Sequence, residues 1–547
     1  MKKVLALMII ASVVLSMMMV YATETATIPS FDVHFNGNRV ESEEREYPLL
    51  LYKDITYFPM TYFDSRHLGI EARWDGETNT LNISKENISS VLTSYKSEKK
   101  NDVKNSVAIC SFNIVVNGKK IDNSAEEYPL LTFRDVTYFP LTWRFAHDEF
   151  GWEYSFDAEK GLMINSSNHR VKMLDLSALE MVGTYSGFTC DGEYYYHHNS
   201  ANGNIYRTPI DDLDNQEIIH KIESGSPAGL GYSDGKVFLN YRSGGATMGT
   251  DVTYYINKDK TLTETKKPGG YGKEGLVSYY RAYGDGIKAE LSFFTGTWEF
   301  CYYVGEDKTE VKIPGISFGT PGRHSSGEVI PPQIVGDNIY VIGYKGEEEI
   351  KILYSINAES GKISEIEDNV DNFCAYDSVT RGQVVIYTQE GCLDQYHVDS
   401  GQYFEVRENS GAFVDMIQIK QEDEAFIEKS PFWGMYVVTK DDKGTYLDVY
   451  GNSNGNVPPS FQGRKRLMTF SSDTTLSVEN GYLIIKDNSE NPKVRLAVLS
   501  TSNEGYAANV KAPFLSADKA TAITIFEDTL IYRNVETGEF CRVELER

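Results

Sequence analysis

The feature that most restricts what this chain can fold into is a stretch that it contains twice, at a constant offset of 81 residues. Glu46-Tyr47-Pro48-Leu49-Leu50, a spacer, and Asp54-Ile55-Thr56-Tyr57-Phe58-Pro59-Met60-Thr61 return as Glu127-Tyr128-Pro129-Leu130-Leu131 and Asp135-Val136-Thr137-Tyr138-Phe139-Pro140-Leu141-Thr142. Prolines, aromatics and leucines that stay in register across a divergent background mean that a folding module was duplicated.

Each copy opens on an alternating strand and an Asn-Gly pair, Phe31–Phe35 with Asn36-Gly37 and Phe112–Val116 with Asn117-Gly118. Both residues of Asn-Gly tolerate positive φ, so each predicts a hairpin. Pro59 and Pro140 can stand at a first helical position, where a missing N–H costs nothing. Helices are therefore expected over Met60–Leu68 and Leu141–Phe150, each stopped by a glycine, Gly69 or Gly151, with one extra residue in the second. Two strands close each copy, Ile70–Trp74 with Thr80–Ser84 and Trp152–Phe156 with Leu162–Asn165. These readings give two small α+β modules over 28–85 and 108–167. Residues 86–107, rich in Ser and Lys without an apolar period, read as a linker with one short helical turn at Val91–Tyr95.

The order of a strand with Asn-Gly, Tyr-Pro-Leu-Leu, Thr-Tyr-Phe-Pro-(Met/Leu), a helix ending in Gly and a strand ending in (Trp/Phe)-Asp resembles the copper amine oxidase N-terminal-like domain, here in two copies. The resemblance implies a curved antiparallel sheet around one helix, in an exported protein of a Gram-positive bacterium. The family form carries an Arg directly after the hydrophobic residue that follows the second proline; Thr61 and Thr142 stand there, and Arg144 follows two residues later in the second copy alone. In the oxidases this module is a stalk, and copper belongs to a separate catalytic domain. That chemistry needs a self-processing Tyr in an Asn-Tyr-Asp/Glu context and three His ligands, two of them as His-x-His. Neither motif occurs, and the adjacent His197 and His198 point to opposite faces of a strand. No amine oxidase activity, metal or cofactor is expected.

From 170 to 547 the signal is a rhythm. A turn and an apolar strand recur at Asp191-Gly192, Asp234-Gly235, Asp285-Gly286, Gly336-Asp337, Gly382, Gly434, Asn480-Gly481 and Glu527-Asp528, in steps of 43 to 52 residues. Four-stranded units with a period near 40–50 are the signature of propeller blades. The expected fold is therefore mainly β: two small α+β modules followed by a 7–8-bladed β-propeller. The Asp-Gly-x-x-Tyr-Tyr and Ile-Tyr-Arg pattern of blades one, four and five resembles bacterial propellers related to the low-density-lipoprotein-receptor YWTD type. A β-solenoid or a pair of sandwiches would satisfy the same period.

Charge and cysteines narrow the function classes. The formal net charge of −26 is spread along the chain, and the basic runs Lys96–Lys104 and Arg464-Lys465-Arg466 are short, which argues against nucleic acid. Six cysteines in 547 residues form no CxxC or metal-type pair. Cys374 and Cys392 fall on the first and third strands of one blade, too far apart to bridge, whereas a bridge between Cys190 and Cys541, near the two ends of the large domain, stays open as a closure. Lys2-Lys3, the apolar run Val4–Val20 and Tyr21-Ala22 read as a secretory signal over 1–22, cleaved after Ala22. Losing Lys2 and Lys3 takes the balance from 53 − 79 to 51 − 79, or −28. The alternative is an uncleaved anchor, and membrane contact is expected in that case alone.

No catalytic motif stands in a credible context. Asp211-Asp212, Glu347–Glu349 and Asp441-Asp442 are acidic pairs in polar turns, not carboxylates set across a cleft. G-x-S-x-G occurs around Ser233 and Ser317, but neither leads into the helix that a nucleophile elbow requires. The aromatic candidates for ligand contact are Trp298, Phe432 and Trp433, as stacking platforms for a sugar or a partner protein. The reading is an exported, non-catalytic cell-surface or secreted binding protein, whose propeller recognises a cell-wall glycan or another surface protein. Its rivals are a propeller-type glycoside hydrolase or polysaccharide lyase, and a purely structural envelope protein.

Overall fold

The computed structural model describes residues 23–545 except 94, 98, 99, 183–186, 234, 244–249, 265–278, 284, 285, 295, 296, 320–329, 347–349, 379–381, 390, 391, 408–411, 420–432, 442, 443, 453–459, 468–473, 481, 488–493 and 501–513. The expected signal segment thus lies outside the described residues. Two units divide the chain, Met1–Met173 with Leu515–Ala517 and Leu174–Phe514 with Asp518–Arg547.

In the first unit, copy one runs β1 (Thr23–Thr27), β2 (Val33–Phe35), β3 (Asn38–Val40), β4 (Leu50–Tyr52), β5 (Ile55–Pro59), α1 (Tyr62–His67), β6 (Ile70–Asp75), β7 (Thr80–Lys85) and β8 (Ile88–Ser89). Copy two runs β9 (Lys104–Ile109), β10 (Asn113–Val116), β11 (Lys119–Ile121), β12 (Leu131–Phe133), β13 (Val136–Pro140), α2 (Trp143–Glu149), β14 (Glu153–Asp157) and β15 (Gly161–Asn165). The two helices start two residues later than expected. Pro59 and Pro140 remain in strand, and the next residues stay tied to the opposite copy, Met60 N–H to Thr137 C=O and Leu141 N–H to Thr56 C=O, each at 2.8 Å. Only then do Thr61 and Thr142 cap the helices, their hydroxyls accepting from the Asp64 and Phe145 amides at 3.1 and 3.5 Å. The extra residue of copy two is absorbed by widening: α2 is a π-helix, closed by Phe150 N–H to Phe145 C=O at 3.0 Å.

The copies do not close on themselves. One four-stranded sheet runs β11-β10-β7-β6 and another β14-β15-β2-β3, so each hairpin of one copy lies parallel to a closing strand of the other. The remaining strands form a closed barrel, β1-β4-β5-β13-β12-β9. Inside it Leu50 and Leu131, Tyr57 and Tyr138, and Ala26 and Val107 make one core from equivalent positions. A second core takes Phe35, Phe58, Phe139, Phe145, Phe150 and Trp152 from both copies. Each such ring stabilises the fold by roughly 1.5–3 kcal/mol on full burial, and Phe58 and Trp152, 5.1 Å apart, join the two copies within this core.

The hairpin asparagines lock this exchange. Asn36, at φ 49°, donates to the His67 carbonyl at 3.0 Å and accepts from the Ser166 amide at 2.9 Å. Asn117, at φ 50°, donates to the Glu149 carbonyl and accepts from the Lys85 amide, both at 2.8 Å. Each turn residue thus joins its own helix end to the other copy. Among the described residues of the expected linker turn, residues 91–93 and Tyr95 are not helical: Glu46 N–H reaches Tyr95 C=O at 2.8 Å, and the Tyr95 ring packs on Tyr47 and Phe63, both 5.3 Å away. Aromatic docking outweighs the weak local helix preference.

The second unit contains, among the described residues, eight sheets, each built mainly from strands that follow one another in the chain. Their second strands, from Tyr194–Asn199 and Lys236–Ser243 through to Tyr482–Asp487 and Thr529–Asn534, are the turn-led strands of the sequence rhythm. Neighbouring sheets share cores: one joins Leu291 and Phe300 to Val341 and Tyr354, the next Tyr340 and Leu353 to Phe373 and Val385. The last sheet meets the first, with Thr524 and Thr189 hydroxyls 3.0 Å apart and the Phe188 and Phe540 rings at 4.2 Å. The fold is mainly β, and this contact lets the first and last blades cover each other's faces.

Candidate functional site

The aromatic candidates of the large domain fall apart as a group. Trp298 lies on Thr297–Val304, half-buried against the core between two blades, and its ring sits where a Cβ on Gly319 would stand, 2.1 Å from the nearest ring carbon. It fills space. Trp433 begins the strand Trp433–Asp441, opposite Asn452, and Phe432 lies outside the described residues. Of the acidic pairs, Asp211 and Asp212 are exposed in a turn, and Glu347–Glu349 and Asp442 lie outside the described residues. Ser233 pairs with Lys236 across a hairpin, and Ser317 donates to the Gly319 carbonyl at 2.6 Å, so neither serine introduces a helix.

The two adjacent histidines are structural. His197 and His198 are both fully buried on Tyr194–Asn199. The His197 ring stacks on Tyr206 at 5.0 Å with its Nε2 3.0 Å from the Thr208 hydroxyl, and burial lowers its pKa to about 4. Among the described residues no group of three His, Cys, Asp or Glu could hold a metal. All six cysteines are free thiols. Cys190, close to the first-to-last blade contact, is pushed up to about 12 by burial.

Exposed aromatics gather instead on the first unit, in pairs repeated by the duplication. Tyr62 and Trp143, the first residues of α1 and α2 and 81 positions apart, are 50% and 60% exposed. Each is backed by the residue four places on: the Arg66 guanidinium lies 3.9 Å from the Tyr62 ring centre, and His147 stacks 4.0 Å from Trp143. Arg66 is held in turn by Glu71 through two bonds of 3.0 and 3.1 Å. Trp74 and Phe156, 51% and 60% exposed, stand next to last in the equivalent strands β6 and β14. Trp74 packs edge-on against Phe112 and Phe156 against Phe31, each at 5.2 Å and each across the two copies. In sequence Trp74 and Phe156 look like marks of the fold, since both precede the Asp of a closing turn. Their exposure follows from strand position, which only the pairing reveals.

The same unit holds a cavity of about 300 Å³ beside β3. Val40, Leu92 and Val171 supply buried apolar wall, and Arg39, Glu41, Glu44 and Lys96 surround it as exposed charges. Arg45 lines it from within. Its side chain is 3% exposed and pairs with Asp64, 0% exposed, which also accepts from the Thr61 hydroxyl at 2.8 Å. The Arg45 Nε–H is shielded from solvent and has no acceptor among the described residues.

No family model matches the chain, and no curated protein matches it. Solved structures similar to it include a putative 6-phosphogluconolactonase of Bacteroides fragilis, at 11% identity over 60% of this chain and 94% of that one, with a TM-score of 0.31. Dipeptidyl peptidase 4 of Porphyromonas gingivalis shares 12% identity over 67% of both chains, with a TM-score of 0.30. A eukaryotic initiation factor shares 10% identity over 67% of this chain and 88% of the other, with a TM-score of 0.34.

Proposed function

We propose that this is an exported, non-catalytic binding protein of the cell surface that recognises carbohydrate. The observation that carries the reading is the duplicated set of exposed aromatic faces on the first unit, Tyr62 with Trp143 and Trp74 with Phe156. A flat ring, held rigid by a neighbour and left half open, is suited to stacking on the apolar face of a sugar. Duplication supplies the same face twice, so a polymeric glycan engaged at both gains by effective concentration. In this reading the N-terminal segment directs export, cleavage after Ala22 leaves Thr23 of β1 at the start of the mature chain, and the two copies are copper amine oxidase N-terminal-like modules used for adhesion. The propeller then serves as the body that this adhesive unit presents.

Retention of the purified mature protein on insoluble cell-wall and storage polysaccharides tests the reading. Retention by at least one polysaccharide is expected, with Trp143→Ala and Trp74→Ala each weakening it several-fold, since one stacked ring is worth about 1 kcal/mol. Retention that both variants leave unchanged, or turnover of the polysaccharide, would overturn it.

A further inference from the structure

We infer that the cavity beside Arg45 is a binding site for one acidic sugar residue, a hydroxylated ring carrying a carboxylate. The inference rests on the carbohydrate reading for its ligand class, and on the cavity's own chemistry for the rest. The volume of about 300 Å³ sits at the small end of ligand sites, on the scale of a single ring. Its innermost polar group is a cation with capacity to spare. Of the five N–H groups an arginine carries, Arg45 uses one on Asp64, and its buried Nε–H meets no acceptor among the described residues. That Nε–H is shielded from solvent, so a ligand oxygen in the cavity would be met by the terminal N–H groups of the guanidinium that Asp64 does not use.

Asp64 neutralises the charge of Arg45, so a second cation is needed to favour an anion, and Lys96 stands at the rim. Its backbone bridges Arg45 directly, which fixes the two side chains to one place in the fold. Glu41 and Glu44 share the rim. Facing a plain hydrophobic acid they would be repulsive; facing a sugar acid they accept from hydroxyls. Val40 and Leu92, both buried, offer the apolar wall against which a ring face packs. Cation within, acceptors at the rim and an apolar wall together select the hydroxylated acid over a neutral sugar, which gives Lys96 no anion, and over a simple carboxylic acid, which gives Glu44 no hydroxyl, Glu41 being paired with Arg39 at 3.6 Å.

Calorimetric titration of the mature protein with sodium glucuronate, glucose and sodium propionate decides the matter. Glucuronate is expected to bind one site per chain, at least tenfold more tightly than either of the others. Lys96→Ala should weaken it about fivefold to tenfold, and Leu92→Trp, which fills the cavity, should abolish it, with each variant's folding checked by its unfolding midpoint. Equal binding of glucose or propionate, no binding of glucuronate, or binding that survives Leu92→Trp would each overturn the site. The two readings fail separately: glucuronate binding without retention on any polysaccharide overturns the aromatic reading alone, and retention without glucuronate binding overturns this one alone.

Discussion

Phe58 and Phe139, 81 residues apart in sequence, stand directly opposite each other across the β5–β13 pair. Thr25 and Ser106, at the same offset, oppose each other across β1 and β9. Equivalent residues can face one another in this way only on a two-fold axis, so the first unit is a pseudo-symmetric pair of interlocked copies. A chain of residues 23–103 alone lacks β13, β10 and β15, the second neighbours of β5, β7 and β2. It is expected to form a homodimer with Phe58 against Phe58, measured by sedimentation equilibrium; a folded monomer would refute the axis as the organising feature.

One loop position carries opposite charges in the two copies. Arg45 pairs with Asp64 of α1, whereas Glu126, 81 residues on, pairs with Arg144 of α2, the counterpart of Phe63. The first pair is buried, while in the second Glu126 is 18% and Arg144 47% exposed. Asp64→Asn should cost about 3–5 kcal/mol, because it strands a buried guanidinium. Glu126→Gln should cost less than about 1 kcal/mol. Denaturant midpoints at neutral pH compare the two directly.

Asn36 and Asn117 separate turn geometry from side-chain bonding. Glycine would keep the positive φ at either site, and both have open backbone conformations for it. Asn36→Gly nonetheless removes a buried amide bonded to His67 and Ser166 and should cost about 1–3 kcal/mol. Asn117→Gly removes the equivalent bonds from an exposed position, where water replaces them, and should cost under about 1 kcal/mol.

His197 makes the propeller acid-sensitive. Burial lowers its folded pKa to about 4 from the ordinary 6.5, so between those values the unfolded chain binds the proton and the folded one does not. Stability is therefore intact above pH 6.5 and falls as pH drops towards 4, by up to about 3 kcal/mol in all. His197→Gln should flatten that part of the profile in urea unfolding; an unchanged slope would show that other groups carry the acid response.

Gly319 is the position where the Trp298 ring needs backbone with no side chain. A Cβ there would lie 2.1 Å from the ring, so Gly319→Ala should cost about 1–3 kcal/mol by overpacking. Adding Trp298→Ala should return part of that loss, a coupling that a double-mutant cycle measures.

The repeat, its hairpins and the blade rhythm were legible in the sequence because each is local. Asn-Gly needs only its own φ angles, a strand needs only its alternation, and a turn-led strand recurring every 43 to 52 residues needs only counting. What local pattern cannot carry is the partner. The strands of β7 and β15 look alike whether they pair within their own copy or across, since nothing in Thr80–Lys85 or Gly161–Asn165 names the neighbouring strand. The start of each helix moved for the same reason: hydrogen bonds from Met60 and Leu141 to the opposite copy hold the chain extended beyond the prolines. The aromatics show the principle most plainly. Trp298 and Trp74 are both tryptophans on β-strands, and only tertiary packing seats one against Gly319 and leaves the other half open beside Phe112. By itself the sequence determined that a module was duplicated and that many short strands follow it. Which surfaces the strands bury, and hence which side chains remain to meet a ligand, was decided by contacts between residues far apart in the chain, and apolar burial is a property of those contacts.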